Sequence, residues 1–199
     1  MSNGETNVKM VLADGSSLGL FSLGLATLIG SSALFGSKGV GGDAWVLCVA
    51  AFAQIWAAGM AFKSNNVLGG TAFGAYGLFW LGLGMSDILA SGLFGSTLAT
   101  ANSTTTLFYA SIGFCVFSIF LTIAAVKANK LLVIVIGLIA VLFFGLVLQT
   151  SGSGAATAGQ HIADYARIIL AVVAFYGAGA LILNAMFERT ILPIGAPKA

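Results

Sequence analysis

The chain has 199 residues, of which 59% are hydrophobic and only 7% are charged, and its formal net charge is +2. Soluble domains carry about a quarter charged residues, so this composition excludes a soluble globule and predicts a protein whose solvent is mostly the lipid bilayer. The small net charge and the absence of a basic run give no argument for a nucleic-acid partner, and we expect none.

Six apolar segments are long enough to cross a bilayer as helices, because about 20 apolar residues span the hydrocarbon core. They are predicted at residues 17–36, 43–62, 70–90, 105–126, 131–149 and 164–187. Both prolines, Pro193 and Pro197, follow the last segment, so proline interrupts none of the six. The segments are apolar all round instead of alternating, which argues against a membrane barrel. The predicted fold class is an all-α membrane protein with six transmembrane helices.

The connections between these segments are short and rich in glycine and serine, so residues 1–199 are predicted to form one membrane domain. Cytoplasmic loops of membrane proteins carry an excess of Lys and Arg. Only Lys38 and Arg167 fall on the side opposite to the termini. The other basic residues all fall on the side of the termini: Lys9, Lys63, Lys127, Lys130, Arg189 and Lys198. Both termini are therefore predicted to be cytoplasmic, with the protein in the cell membrane.

No motif in the chain indicates an enzyme. The single histidine, His161, has no HExxH partner and no cysteine companion, so we expect no metal site, and we expect no cofactor. Cys48 and Cys115 both lie in apolar segments, which favours buried thiols over a disulfide. No GxSxG or Walker sequence is present.

Glycine supplies 27 residues, many of them inside the predicted spans. Gly15 and Gly19, and again Gly70 and Gly74, have the GxxxG spacing that lets helix backbones approach closely in lipid. The spacing is common. It predicts tight packing of helices, and the alternative is a close wall for a small solute.

Polar side chains inside the predicted spans are the stronger signal, because an unpaired polar group in hydrocarbon costs several kcal/mol on transfer scales. They are Thr27, Gln54, Thr71, Tyr76, Thr122 and Asn184. A threonine can bond to a carbonyl of its own helix, which is the expected state of Thr27 and Thr122. Gln54 and Asn184 each need a partner helix or a water-lined cavity, and both alternatives stay open.

Ionisable residues gather near the predicted outer surface. Asp87 falls at the end of the third span, where a solvated position is expected and the alternative is a proton-relay carboxylate. His161, Asp164 and Arg167 are spaced i, i+3, i+6, so they share one face of the sixth span and permit an Asp–Arg pair beside a titratable histidine. This group is either an interfacial cap on the helix or an outer entrance that attracts anions.

Three stretches resemble one known family. The ending "FERTILPIGAPKA", the third-span segment "GGTAFGAYGLFWLG" and the second-span segment "AFAQIWAAGMAFK" are similar to motifs of the acetate uptake transporter family, also called the YaaH or succinate–acetate permease family. The resemblance implies a six-helix protomer in a homo-hexamer, with one pathway in each protomer. Members move acetate and in some cases succinate, either by proton-coupled uptake or like a channel.

The resemblance also implies an apolar constriction built from spans 1, 3 and 5. Carried over to this chain, it consists of Leu23, Tyr76 and either Leu138 or Ile139. A pathway for a small carboxylate needs donors for the carboxylate and an apolar surface for the methyl group. The candidate substrate-binding residues are Gln54, Thr71, Phe73, Tyr76 and Asn184.

Two departures from the family pattern stand out. The family has Asn-Pro-Ala-Pro-Leu-Gly-Leu before the first span, whereas this chain has "DGSSLGL", which loses both prolines and places a carboxylate at Asp14. Leu23 replaces the aromatic residue of the constriction. The candidate entrance residues are Asp14, His161, Asp164 and Arg167.

The sequence therefore predicts a membrane transporter or channel for acetate and related small carboxylates, with proton coupling left open. The alternative is a non-transporting membrane sensor or assembly subunit that responds to acetate or ammonium. Uptake of labelled acetate by the reconstituted protein distinguishes the two.

Overall fold

The structure is a computed structural model that describes residues 13–31, 40–101 and 104–195. Every regular element in these ranges is helical, which confirms the all-α class for the described part of the chain. The end of the first predicted span, residues 32–36, lies outside the described residues.

The first two predicted spans differ in regularity. Helix α1 occupies Ser16–Gly30. The second span is helical over residues 40–63 and consists of α2 at Val40–Trp45, a π-helical turn at Val46–Phe52 and α3 at Ala53–Lys63. Such π turns occur mostly as single turns within α-helices, often at functional sites.

The remaining helices follow in chain order. They are α4 at Val67–Ala90, α5 at Ser96–Ala101, α6 at Thr104–Ala125, α7 at Lys130–Thr150 and α8 at Ala156–Met186.

Two of these helices begin after an asparagine that closes the first turn. The side-chain oxygen of Asn66 accepts a hydrogen bond from the Gly69 amide at 2.9 Å, and that of Asn129 accepts one from the Leu132 amide at 2.8 Å. Each cap satisfies an amide hydrogen that would otherwise have no partner within the helix. The starts of α4 and α7 are thereby fixed.

Four helices, α4, α6, α7 and α8, are long and apolar enough to cross a membrane, judged by length and composition. Helix α1 and the stretch from Cys48 to Lys63 are apolar but shorter. Helix α8 begins at Ala156 and not at residue 164. The prediction placed the start too late because the first turns of the helix are polar and apolar length does not indicate them. His161, Asp164 and Arg167 consequently lie inside α8 and not at its start.

The helices pack around a shared apolar core. Helices α6, α7, α8 and α1 are neighbours in that order, while α4 packs along the helix at residues 40–63, which also contacts α1. Buried side chains of α1, α4, α7 and α8 meet at the centre, among them Leu20, Phe73, Leu142 and Leu170. The four helices α1, α4, α7 and α8 therefore enclose the middle of the bundle.

Glycines set the closest contacts between helices. A Cβ placed on Gly145 of α7 would lie 2.7 Å from the backbone nitrogen of Ala163 on α8. A Cβ on Gly19 of α1 would lie 2.5 Å from the ring of Phe73 on α4. Gly15 approaches the backbone of α3 in the same way. The close packing predicted for Gly15 and Gly19 is confirmed.

We expect Gly145→Ala to lower the free energy of unfolding by about 1–3 kcal/mol, because the added methyl group must push the α8 backbone away. Gly137→Ala on the same helix is the matched control, since its nearest contact would be Thr122 Cγ2 at 3.8 Å. The thermal stability of both variants is measured in detergent by size-exclusion chromatography after heating. Equal melting temperatures for the two variants would contradict the close approach at Gly145.

Candidate functional site

A cavity of about 110 Å³ opens at the end of the bundle where α1, α4 and α7 begin, and we call it the vestibule. Its polar rim is formed by Asp14, Ser16, Asn66 and Asn129. Its deeper wall is apolar and includes Leu20, Leu23, Ala72, Phe73, Tyr76, Val135 and Ile139. The cavity therefore leads from polar side chains into an apolar interior.

The rim is held by a small hydrogen-bond network. The carboxylate of Asp14 accepts hydrogen bonds from the backbone amide of Ser16 at 3.2 Å and from its hydroxyl at 2.8 Å. The amide of Asn66 donates to Asp14 Oδ2 at 3.2 Å and to Ser16 Oγ at 3.2 Å. This network joins the start of α1 to the start of α4. A negative charge is also favourable near the N-terminus of a helix.

The vestibule ends at Leu23, Tyr76 and Ile139, which we call the throat. Each of the three side chains is 3% exposed. All three also line a void of about 10 Å³ on the far side, whose other walls are Phe79, Trp80, Leu142, Phe143 and Leu170. This volume is at or below what one water molecule needs. The throat is thus closed and apolar in this structure.

The structure distinguishes the two α7 residues that the sequence left as alternatives. Ile139 is buried and faces both the vestibule and the void. Leu138 is partly buried, packs against the core, and lines neither cavity.

Tyr76 is bonded to a residue that sequence reasoning missed. Its hydroxyl lies 2.9 Å from Ser118 Oγ on α6, and Ser118 Oγ lies 2.7 Å from the carbonyl oxygen of Phe114. A serine in an apolar span is expected to bond to a carbonyl of its own helix, as Thr122 does, so no sequence pattern indicates the contact with Tyr76.

Aromatic rings fill the space beyond the throat. The Phe79 and Phe143 ring centres are 4.7 Å apart, and those of Phe114 and Phe143 are 5.2 Å apart. Phe79 and Phe114 also line a third cavity, of about 300 Å³, between α4 and α6 at the opposite end of the bundle. We call this the far cavity. Vestibule, throat void and far cavity therefore follow one another: Leu23, Tyr76 and Ile139 border the first two, and Phe79 borders the last two.

The other candidate substrate-binding residues have separate positions. Phe73 is buried and lines the vestibule. Thr71 is partly buried on α4 and is not among the residues that line the vestibule. Gln54 is fully buried, and both atoms of its side-chain amide lack a hydrogen-bond partner. A Cβ on Gly77 would lie 3.2 Å from Gln54 Cβ, which places Gln54 against α4 directly after Tyr76.

Asn184 holds the C-terminal segment. Its amide oxygen accepts from the backbone amides of Ile191 at 2.7 Å and Leu192 at 3.0 Å, and its nitrogen donates to the Leu192 carbonyl at 2.8 Å. Tyr176 donates to the carbonyl of Pro193. Both polar atoms of the Asn184 amide are bonded to this segment and not to the vestibule.

The same segment continues to the start of α7. The backbone amides of Lys130 and Leu131 donate to the carbonyls of Gly195 at 2.9 Å and Ile194 at 3.1 Å. Gly195 has a φ of +66°, which favours glycine at this turn. The ending of the chain therefore caps α7 beside the vestibule.

The candidate entrance residues divide between the two ends of the bundle, with Asp14 at the vestibule. Arg167 Nη1 lies 2.6 Å from Asp164 Oδ1, and the two side chains are 14% and 3% exposed. Asp87 also acts electrostatically on Arg167. The Arg167 charge is therefore balanced within the protein. His161 is exposed and lies beside the ring of Tyr165.

Within the described ranges, no three His, Cys, Asp or Glu side chains are placed to hold a metal ion. The site consists of apolar walls, hydroxyls and amides, and these groups can bind and orient a small polar solute.

We expect Asn184→Ala to lower the free energy of unfolding by about 1–3 kcal/mol, because the part-buried amide of Leu192 loses its acceptor. Tyr176→Phe removes a single hydrogen bond from a more exposed group and is the matched control. Thermal unfolding and hydrogen exchange at Ile191 and Leu192 measure the effect. Unchanged exchange in Asn184→Ala would contradict this role.

Known proteins resemble this chain over most of its length. A sequence model of the GPR1/FUN34/yaaH family matches residues 3–194. The succinate-acetate/proton symporter SatP of Escherichia coli (strain K12) is 32% identical over 188 residues, which cover 92% of this chain and 96% of the symporter. An uncharacterized protein of Methanothermobacter thermautotrophicus is 34% identical over 145 residues, which cover 71% of this chain and 70% of that protein.

The fold is similar to a solved structure as well. The structure of the bacterial acetate channel SatP matches this one with a TM-score of 0.82 and 29% sequence identity, over 93% of this chain and 100% of that chain. The resemblance seen in the three sequence motifs is thereby confirmed, and the chain belongs to the GPR1/FUN34/yaaH family.

Proposed function

We propose that this protein carries acetate and related small carboxylates, succinate included, across the cell membrane through a pathway inside each protomer. One observation carries the proposal. Leu23, Tyr76 and Ile139 form a common wall between the vestibule and the throat void, at the centre of the helix bundle. A small solute that passes from one end of the bundle to the other meets these three side chains.

The proposal includes the arrangement in the membrane. We take α1, the helix at residues 40–63, α4, α6, α7 and α8 as the six spans. Both termini are then cytoplasmic, as the distribution of basic residues indicates. The vestibule becomes the cytoplasmic mouth, and the far cavity becomes the outer one.

We further propose a homo-hexamer, which the family resemblance supports. Helix α6 exposes large apolar side chains along its length in the single protomer, including Tyr109, Val116, Ile119, Phe120 and Ile123. Such a surface suits a lipid or another subunit as its neighbour and does not suit water.

The vestibule has the groups that a small carboxylate needs. The starts of α1, α4 and α7 converge on it, and the N-terminal end of a helix favours an anion. The side-chain amide of Asn129 lies at the rim and is the candidate donor there, because the amide hydrogens of Asn66 are already donated to Asp14 and Ser16. Phe73 and Leu20 offer apolar surface to the methyl group. We therefore assign carboxylate binding to the rim and hydrocarbon contact to the deeper wall.

Passage requires the throat to open, since its void of about 10 Å³ is smaller than any carboxylic acid. The void is walled by side chains with rotatable bonds, such as Leu23, Ile139 and Phe79. Leu23 stands where the family resemblance implies an aromatic ring. A leucine can change rotamer within less space than a ring needs, so we expect a more easily opened throat.

The contacts of the other candidate residues decide which of them we include in the pathway. Gln54 lines none of the three cavities. We keep it as a pathway residue because its buried amide has no partner and it packs against α4 at Gly77, next to Tyr76. We leave Asn184 and Thr71 outside the pathway. Arg167 and Asp164 form an ion pair with each other, so the Arg167 charge is already balanced. We therefore assign this pair to stabilising the outer part of α8 and not to attracting anions.

The test is uptake of labelled acetate into vesicles that contain the purified protein, with and without a pH gradient, and with succinate, formate and lactate as competitors. Protein-dependent uptake that competitors reduce supports the proposal. Uptake equal to that of empty vesicles under every condition would instead favour the non-transporting sensor or assembly subunit.

We expect Ile139→Ala to raise protein-dependent acetate uptake several-fold and to weaken discrimination against lactate, because it widens the throat. Leu138→Ala removes the same number of carbon atoms from the adjacent position, which lines neither cavity. We expect its uptake rate and its selectivity to stay near those of the original protein. Initial uptake rates at matched protein density provide the measurement. The opposite ranking of the two variants would place the constriction elsewhere.

A further inference from the structure

The rim of the vestibule carries one charged side chain. Among the described residues that line the vestibule, Asp14 is the only acidic or basic one. Its carboxylate accepts hydrogen bonds from Ser16 and Asn66, which are both neutral, and the residue is exposed. These bonds hold the carboxylate in place without cancelling its charge. An anion that enters the vestibule therefore meets a fixed negative charge.

The polar groups of the vestibule are confined to its rim. Four polar residues form the rim, whereas the deeper wall is hydrocarbon apart from the hydroxyl of Tyr76, which is bonded to Ser118 on α6. An ionised carboxylate is strongly disfavoured in hydrocarbon when it has no partner. A carboxylate in the vestibule therefore stays at the rim, where the Asn129 amide is the candidate donor and where the charge of Asp14 acts on it.

Acetate and succinate differ in how they fit this arrangement. Acetate has one carboxylate, which can stay at the rim while the methyl group points to Leu20 and Phe73. Succinate has a carboxylate at each end of a short hydrocarbon chain, and both are ionised at neutral pH. Turning one of them toward the deeper wall would leave it without a partner. Both carboxylates of succinate must therefore share the rim with Asp14, whereas acetate brings only one.

We propose that Asp14 makes the vestibule selective for monocarboxylates over dicarboxylates. The inference rests on the proposed function and ranks its substrates, with acetate bound in preference to succinate. Coulomb energy is proportional to the charge of the solute, so the factor by which Asp14 lowers the occupancy of a monoanion becomes about the square of that factor for a dianion. Asp14 also lies at the start of α1, where its carboxylate offsets the attraction of this helix end for an anion.

The size of the cavity is the other property that could reject succinate, and it can be separated from charge. The vestibule has a volume of about 110 Å³, so a four-carbon acid fills more of it than a two-carbon acid does. Size would act equally in a variant whose side chain at this position has the same shape and no charge. Asp14→Asn is that variant, and it keeps an oxygen that can accept from the Ser16 backbone amide.

The experiment measures occupancy of the vestibule without net transport. Vesicles that contain the purified protein hold equal concentrations of unlabelled acetate, or of unlabelled succinate, inside and outside at neutral pH and constant ionic strength. The exchange of a trace of labelled acetate is followed, and the concentration of unlabelled solute that halves this exchange reports its binding. Because the solute is present on both sides, the result does not depend on which way the protein is inserted.

We expect Asp14→Asn to lower the half-inhibiting concentration by about threefold for acetate and by about ninefold for succinate, because removal of the charge relieves the dianion twice. Asp14→Glu keeps the charge and should keep the preference for acetate within about twofold of the original protein. Raising the ionic strength from about 0.01 M to about 0.1 M shortens the Debye length from about 30 Å to about 10 Å. The difference between Asp14→Asn and the original protein should shrink accordingly.

Glu188→Gln is the matched control, because it removes the same charge at the same end of the bundle. Glu188 is exposed and lies between the end of α8 and the segment that caps α7. It lines none of the cavities described above. We expect both half-inhibiting concentrations in this variant to stay within about twofold of those of the original protein.

A second neutral variant covers the case in which Asp14→Asn does not fold. Asp14→Ser removes the charge and keeps a hydroxyl that can accept from the Ser16 backbone amide. We expect its gain in binding to be larger for succinate than for acetate by at least about twofold. Size-exclusion profiles confirm that each variant is folded.

The outcomes are distinct. Equal changes for acetate and succinate in Asp14→Asn, or no change for either, would overturn the inference while leaving the transport function in place. Succinate that fails to inhibit exchange in both neutral variants would overturn it as well, because size and not charge would then exclude the dicarboxylate. No protein-dependent exchange of acetate in the original protein would overturn the proposed function and this inference with it.

Discussion

A polar group buried in an apolar interior has to be paired, and this constraint organises the structure around its pathway. Thr27 donates to carbonyls of its own helix, and Asn184 is bonded to the C-terminal segment. Tyr76 is bonded across helices to Ser118. Among the described residues, buried side-chain atoms without a partner belong to Gln54, Trp80, Ser111, Gln149 and Asp164. Of these, Trp80 lies on α4 one turn after Tyr76, and Gln54 packs against α4 at Gly77, so two of the five are close to Tyr76.

The sequence predicted the parts that depend on composition and on local patterns. Apolar length predicted the long helices, and GxxxG spacing predicted the close contact of Gly19 with α4. Family motifs indicated Leu23 and Tyr76, and the structure places both side chains on the vestibule and the throat void. It could not decide between Leu138 and Ile139, because adjacent residues of a helix differ by about 100° in direction and only packing fixes the rotation. It also gave no sign of Ser118, whose partner is 42 positions away along the chain.

The motif at the end of the chain has a structural role and does not itself line the vestibule. The segment "ILPIG" is held by hydrogen bonds from Asn184 and Tyr176. Its own carbonyls accept hydrogen bonds from the first two backbone amides of α7. These are amides that a helix cannot satisfy by itself. Leu131, at this capped start, lines the vestibule. The motif therefore acts on the pathway through position: it sets where α7 begins and with it one wall of the cavity.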